Sequence, residues 1–492
     1  MVLPHGCNSH PRLPWMLLLG FAVPLFSAVA SSGSAAEVNV TNDLTRRYGE
    51  VQIAVNPKNP NNIVYADVQL AQTAACKAAK DPDCEVVPTK SIAAGVSMAQ
   101  PRGFFTRKDF TAVGLFVSFD RGKTWRRTTV PLPPKEHPRL TGWGDPSLAV
   151  TPDGTFYLSF DNMDWGTPED ALRAGGIAVS KSTDGGKTWS NPVLTGTPLD
   201  GPKMVADPNT GTIYEASSSI LGPLATGDPA TPRGAVRSRW LTSSKDGVKW
   251  TEVQPMGGNA HMSAAHGMLA AVFKTGGENL FNSANNDLCG SAPSPCVLFQ
   301  TTKDAGATWT RHVMPIPATA NRPMVAADPS KQGHFTVAAF MNGDKEFQVY
   351  ETRDSGESWS KPVTVAEDNT KRHFHGWIAY SPTGVLGMMW RTSQAGPAPA
   401  AVSPAPTGPG DARPMPYNVW AAISRDGGAT FSEALQVSGD DSPAGLPGAS
   451  GDDYSSIVLD REYAYVGWPD WRPGERQGYF RAINFSEFKF KH

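Results

Sequence analysis

Net charge is nearly absent from this sequence. It carries 44 Lys and Arg against 46 Asp and Glu, leaving −2 over 492 residues, so there is no basic footprint for nucleic acid. Beyond the N-terminus the chain lacks apolar runs long enough to span a bilayer. It also lacks any linker that would divide it, so one large domain accounts for the length better than two or three. Cysteine is scarce, at five residues. What is plentiful is turn-forming: 48 Gly and 43 Pro suit many short strands joined by turns.

The N-terminus stands apart. Arg12 precedes an apolar run from Leu13 to Ala30, and small residues then offer cleavage sites after Ala30 or Ala36. This is the pattern of a secretory signal peptide. The expectation is a leader over residues 1–36, a domain over 37–492, and a secreted or periplasmic protein with no membrane contact after cleavage. Cys7 lies too early to carry a lipid at the cleavage site. Four cysteines then remain, and their proximity predicts two local disulfides, Cys76–Cys84 and Cys289–Cys296. No His stands at zinc-ligand spacing beside either pair.

One turn motif occurs six times: Ser118–Trp125 (SFDRGKTW), Ser182–Trp189, Thr302–Trp309, Thr352–Trp359, Ser424–Phe431 and a shorter copy, Ser244–Trp250. Repetition of this kind sets the architecture. The Asp accepts hydrogen bonds from N–H groups two residues on, the Gly supplies a positive φ, the hydroxyls tie the flanking strands, and the Trp anchors neighbouring units. A second repeat lies upstream of each box: Glu50–Pro57, Asp145–Pro152, Pro202–Pro208, His261–Val272, Arg322–Pro329, His375–Pro382 and Asp453–Asp460. Seven such strands against six boxes leave the last unit short of a strand. Glu37-Val38-Asn39-Val40 alternates suitably to supply it.

The motif resembles the Asp-box, or bacterial neuraminidase repeat, over nearly all of the chain after residue 50. The resemblance implies an all-β propeller of four-stranded blades, seven here and six as the alternative. The boxes would join third to fourth strands on the face away from the active site. The family holds sialidases, other glycoside hydrolases and non-enzymatic binding proteins, so fold alone does not assign function.

In such a propeller the inner-strand openings crowd the channel mouth, and most of the insertions fall on that same face. The openings are Glu50, Asp145, Gly201, His261, Arg322, His375 and Asp453-Tyr454, with Arg47, Tyr48, Trp143, Lys203 and His373 beside them. Glu50, Asp145 and Asp453 are candidate catalytic carboxyls, since like charges held close raise one pKa and yield an acid. Sialidases replace the carboxylate nucleophile by tyrosine, which makes Tyr454 or Tyr48 the candidate, with Glu50 as base. Arg47, Arg322 and Arg391 would grip a substrate carboxylate by forked hydrogen bonds. Trp143, Lys203, His261, His373 and His375 complete the substrate-binding set. His373 and His375 would share one face of a strand, where a pair chelates or packs; neither a metal nor a cofactor is assigned. Trp165, Trp471 and Phe104 are expected as exposed aromatics.

No Arg-Ile-Pro strand occurs near the N-terminus, and the histidines are foreign to a sialidase pocket. The reading is a secreted exo-acting glycoside hydrolase with a carbohydrate substrate. Its alternatives are a non-catalytic glycan- or protein-binding propeller and a polysaccharide lyase.

Overall fold

The computed structural model describes residues 36–44, 46–71, 84–87, 104–107, 113–131, 140–164, 174–197, 201–218, 239–258, 260–275, 286–293, 295–394, 416–443 and 454–491. Residues 1–35, Cys76, Asp453, Trp165 and the Pro-rich stretch 396–415 lie outside them, as do the side chains of Cys84, Phe104 and Trp143.

Seven four-stranded antiparallel sheets follow one another along the chain. Their inner strands are Arg46–Val55, Leu140–Val150, Lys203–Ala206, His261–Ala265, Asn321–Ala327, Lys371–Tyr380 and Ser456–Leu459. The weak fourth repeat is therefore a true blade, His261–Ala265 pairing with Met268–Lys274 and so outward. Among the described residues the only helical elements are two 3-10 turns, Asn286–Cys289 and Phe485–Glu487. An eighth, two-stranded sheet pairs Cys84–Val87 with Phe104–Arg107 in the first insertion.

Period-two alternation explains why the blades stack. On Ile63–Ala71, Ile63 and Tyr65 pack with Tyr465 and Phe480 of blade seven. Val64 and Ala66, pointing the other way, pack with Leu148, Phe156 and Leu158 of blade two. This strand is apolar on both faces because each face meets another blade.

Blade seven is completed from the other end of the chain. Val38 pairs with Phe480 and Asn39 with Tyr479, which places the N-terminal strand outermost. The expected closure is observed.

All six boxes join third to fourth strands. In the first, Asp120 Oδ1 accepts from Thr124 N at 2.9 Å and Oδ2 from Thr124 Oγ1 at 2.6 Å. The N–H that the Asp takes is thus four residues on, not two. Only in the short copy does it lie two and three on, where Asp246 accepts from Val248 N and Lys249 N. The Ser hydroxyl works inside the turn rather than between strands, donating to Asp120 and accepting from Gly122 N. Gly122 has φ +83°, and a Cβ there would stand 2.1 Å from the Phe480 ring of the preceding blade. Trp125 meets the same ring edge-on at 5.1 Å. Asp120→Ala is expected to cost about 1–2 kcal/mol. Hydrogen exchange should quicken at Gly122 and Thr124 and stay unchanged in the distant blades; uniform acceleration would contradict a local staple.

With strand direction alternating outward, the boxes and the first-to-second turns share one face. Second-to-third connections share the opposite face with the inner-strand openings. Blade five makes that connection within Met341–Glu346, whereas others run from Ala71 to Val113, Ser218 to Arg239, Lys274 to Val297 and Gln394 to Tyr417. Cys289 and Cys296 form a disulfide in the blade-four connection, with an S–S distance of 2.12 Å.

Candidate active site at the channel mouth

Four inner strands break register at equivalent places: between Gly49 and Gln52, Trp143 and Ser147, Asn321 and Met324, and Phe374 and Trp377. Within these bulges stand Glu50, Asp145, Arg322 and His375, with φ of +54°, +47°, +49° and +48°. Gly201 takes φ +57° at the equivalent place in blade three. The sequence places these residues at strand openings; in the four long strands they sit inside, at a kink. Left-handed backbone at a non-Gly residue costs on the order of 1–2 kcal/mol each, and bulges re-aim side chains. Pro146, Pro202 and Pro323 follow three of the five, where no ladder N–H is needed. Five blades thus use the same left-handed device at one level of the channel, strained in the four that lack glycine.

Inner strands are sheet edges, and their N–H groups need partners. Side chains of the preceding blade serve several. Glu50 Oε2 accepts from Asp145 N at 2.9 Å, Ser147 Oγ from Met204 N at 2.9 Å, His261 Nδ1 from Val325 N at 3.3 Å and Ser263 Oγ from Ala327 N at 3.0 Å. Asp145 Oδ2 in turn lies 3.5 Å from where a Cβ on Gly201 would be, so this glycine makes room beside the carboxylate. Arg239 Nη1 donates to the Gly201 carbonyl at 2.7 Å.

Side chains from separate blades meet at the channel: Lys203 and Trp377, two residues past Gly201 and His375, and Tyr454, at the bulge level of blade seven. The Lys203 ammonium, shielded from solvent, stands 3.3 Å from the Tyr454 ring centroid and 6.0 Å from that of Trp377. Trp377 meets His261 edge to face at 4.7 Å. Blades three, four, six and seven thus converge at this end of the channel. Since Nδ1 of His261 accepts a backbone N–H, the neutral ring carries its proton on Nε2. Burial, with the charges of Lys203 and Arg239, draws this His down to about 3.

Several expected site residues are elsewhere. Tyr48 is fully buried, donates to Asp43 Oδ2 at 2.9 Å, and is pushed above the ordinary tyrosine range by burial; it belongs to the core. Arg47 bonds Glu475 at 2.7 Å and covers Trp471, which is buried rather than exposed. Arg391 is also fully buried, donating to Ser455 Oγ and to the Tyr454 carbonyl while covering Tyr417. It braces the wall. His373 is buried against Thr392 Oγ1 at 3.0 Å, and burial lowers its pKa. His375 packs on Phe374 at the bulge, and the register break between Phe374 and Trp377 removes the alternation a chelating pair would need. No group of three or more metal-ligating side chains occurs among the described residues.

Sequence reasoning missed Trp377, Arg239 and Glu215. Trp377 was detectable, lying two residues past His375 on the strand. Arg239 and Glu215 carry no local signal, being polar residues on second and third strands. Glu215 is fully buried, accepts from Thr197 Oγ1 at 2.5 Å, and is pushed up to about 8 by burial.

No protein-family model matches the chain. Over 119 residues, 22% of its length, it is 33% identical to a sialidase of Micromonospora viridifaciens, the match covering 18% of that protein. Over 339 residues, 63% of its length, it is 24% identical to a sialidase of Bacteroides fragilis (strain YCH46), covering 59% of that protein. The chain therefore spans less than two thirds of either relative. Among solved structures, the Hadza microbial sialidase Hz136 aligns at 16% identity and a TM-score of 0.44, covering 79% of this chain and 78% of that one.

Proposed function

This chain is a sialidase-like β-propeller, and we propose that it is an exo-acting glycoside hydrolase working at the bulged channel mouth. The observation that carries the reading is the set of left-handed bulges holding Glu50, Asp145, Arg322 and His375 at one level. Strain of this kind clusters at active sites, where surrounding structure holds a functional side chain in place.

In the proposed reaction the terminal sugar sits in the channel mouth, against Trp377 and Tyr454. Tyr454, its phenolic proton lost to solvent, attacks the anomeric carbon through Oη as the bond to the leaving oxygen breaks, and Asp145, as the acid, protonates that oxygen. Asp145, now a carboxylate, then takes a proton from the water that attacks the anomeric carbon, and Tyr454 leaves as the phenolate. Glu50 holds the Asp145 backbone, and Arg322 and His375 contact the sugar from the rim. With Arg47 and Arg391 engaged in the wall, a three-arginine grip on a carboxylate is not assembled from the residues chosen for it. The favoured substrate is therefore a glycoside whose recognition does not depend on that grip. A lyase is disfavoured, because neither the low-pKa His261 nor the buried His373 suits a general base at neutral pH.

Asp145→Asn is expected to lower turnover by about 10²–10⁴-fold on whichever glycoside the parent cleaves, with the fold intact by circular dichroism. No turnover by the parent on a broad glycan panel would instead favour the non-catalytic binding propeller. We also propose export to an oxidising compartment, motivated by the leader-like segment Leu13–Ala30 and the Cys289–Cys296 disulfide. N-terminal sequencing of protein recovered outside the cytoplasm tests it.

A further inference from the structure

Lys203 is the one ammonium group placed against a tyrosine ring at the channel mouth among the described residues, and its position has a chemical consequence. Its Nζ stands 3.3 Å from the Tyr454 ring centroid, a separation at which the cation sits on the face of the π-system. Tyr454 is partly buried, and its carbonyl accepts from Arg391 Nη2 at 3.2 Å, so a second cation stands nearby. His261 is neutral through the working pH range and adds no charge. Asp453 precedes Tyr454 in the chain and lies outside the described residues.

We infer that Lys203 is a positioning residue which favours the ionised form of Tyr454, so that the tyrosine enters the reaction as a phenolate without transferring its proton to Glu50. A neutral phenol ring offers the ammonium only its quadrupole. Loss of the phenolic proton to solvent puts a full negative charge on oxygen and ring, and the same ammonium then makes an ion–ion contact. An opposite charge within ~4–6 Å favours the charged form. The contact is strengthened because Lys203 Nζ is shielded from water, where charges interact more strongly. Glu50 is poorly placed as the base, since its Oε2 already accepts from Asp145 N. Lys203, expected from sequence to touch substrate, thus acts through Tyr454. The inference rests on the hydrolase reading for its catalytic meaning but not for its test.

Phenolate absorbs near 295 nm, so Tyr454 can be titrated as the difference between the parent and Tyr454→Phe. Burial pushes Tyr48, Tyr65, Tyr380 and Tyr465 far above the ordinary range, and the difference against Tyr454→Phe removes the other tyrosines. The expected result is a single-tyrosine signal at least about one unit below the usual value near 10. Lys203→Met should move it upward by about one unit or more, and Lys203→Arg, which keeps the charge, should leave it low. An unshifted signal in Lys203→Met, or no parent signal below pH 10, overturns the inference. If Lys203→Met does not fold, a parent signal below pH 10 that Lys203→Arg retains supports it, and one that Lys203→Arg moves to 10 or above overturns it. Turnover failing while the titration behaves as expected would count against the hydrolase alone. Where activity is present, the acid limb of the kcat/KM profile should move with the titration.

Discussion

Glu215→Gln is expected to abolish a large fall in stability between about pH 5 and pH 8. Glu215 lies in the second strand of blade three, fully buried. One carboxylate oxygen accepts from Thr197 Oγ1, and the other has no partner among the described residues. Arg239 favours the charged form only as the weakest of the named causes. Burial disfavours the carboxylate, so the folded-state value rises while the unfolded one stays ordinary. The sign follows from proton binding. Between the two values the folded state holds a proton that the unfolded state has released, so stability falls as pH rises. The contribution is fully present below the unfolded value and is lost as pH rises through the folded one. A rise from 4.5 to about 8 corresponds to roughly 5 kcal/mol across that window. Glutamine can still accept from Thr197 and carries no charge to bury. Urea midpoints at pH 5 and pH 8 should therefore separate in the parent and draw together in the variant; parallel shifts in both proteins would refute the assignment.

Opening the ring at its seam is the second large effect. The closing strand contributes only two paired residues, so it depends on other contacts. Arg472 bonds both oxygens of Glu37, at 2.5 and 2.9 Å, and reaches Asp470 at 2.8 Å. Gln477 accepts from Thr41 Oγ1 and from Asp43 N, each at 2.8 Å. Asp470 is fully buried and also accepts from Trp468 Nε1 at 2.9 Å. Arg472→Met leaves that carboxylate buried without its cation, at a cost of about 3–5 kcal/mol. Glu37→Gln should cost less, about 1 kcal/mol or below, because Glu37 is a quarter exposed. Limited proteolysis should cut Arg472→Met N-terminal to Arg46 well before the blades, and the parent only on global unfolding. Equal cleavage rates would show that the two-residue ladder and Gln477 suffice.

The architecture was legible because it repeats. The box chemistry, the inner-strand pattern and even the weak copy at His261–Val272 encode the blades locally, and the surplus of inner strands over boxes pointed to Val38–Asn39 as the closing strand. The site was legible only in part. Glu50, Asp145, Gly201, Arg322 and His375 were found as one level of the channel, but not as bulges. A left-handed residue inside a strand leaves no mark in hydropathy, and the extra residue of its bulge, one in three of the strands and two in Leu140–Val150, re-aims the side chains around it. Hence Tyr48 fell into the core and His373 away from His375, while Arg391, on the second strand of its blade, is buried in the wall against Ser455.

By itself the sequence pointed to seven blades with six left open, and determined the strand order, the side on which insertions gather and the means of closing the ring. Each depends on residue type and spacing along the chain, so each is local. Tertiary structure alone decided which charges face the channel and which are consumed in its wall. Arg47 meets Glu475 across the chain termini, Arg391 meets Ser455 across a blade boundary, and Lys203, His261, Trp377 and Tyr454 converge from four blades. Such meetings depend on the curvature of the closed ring, which brings distant strands to one axis, and no spacing along the chain records that curvature.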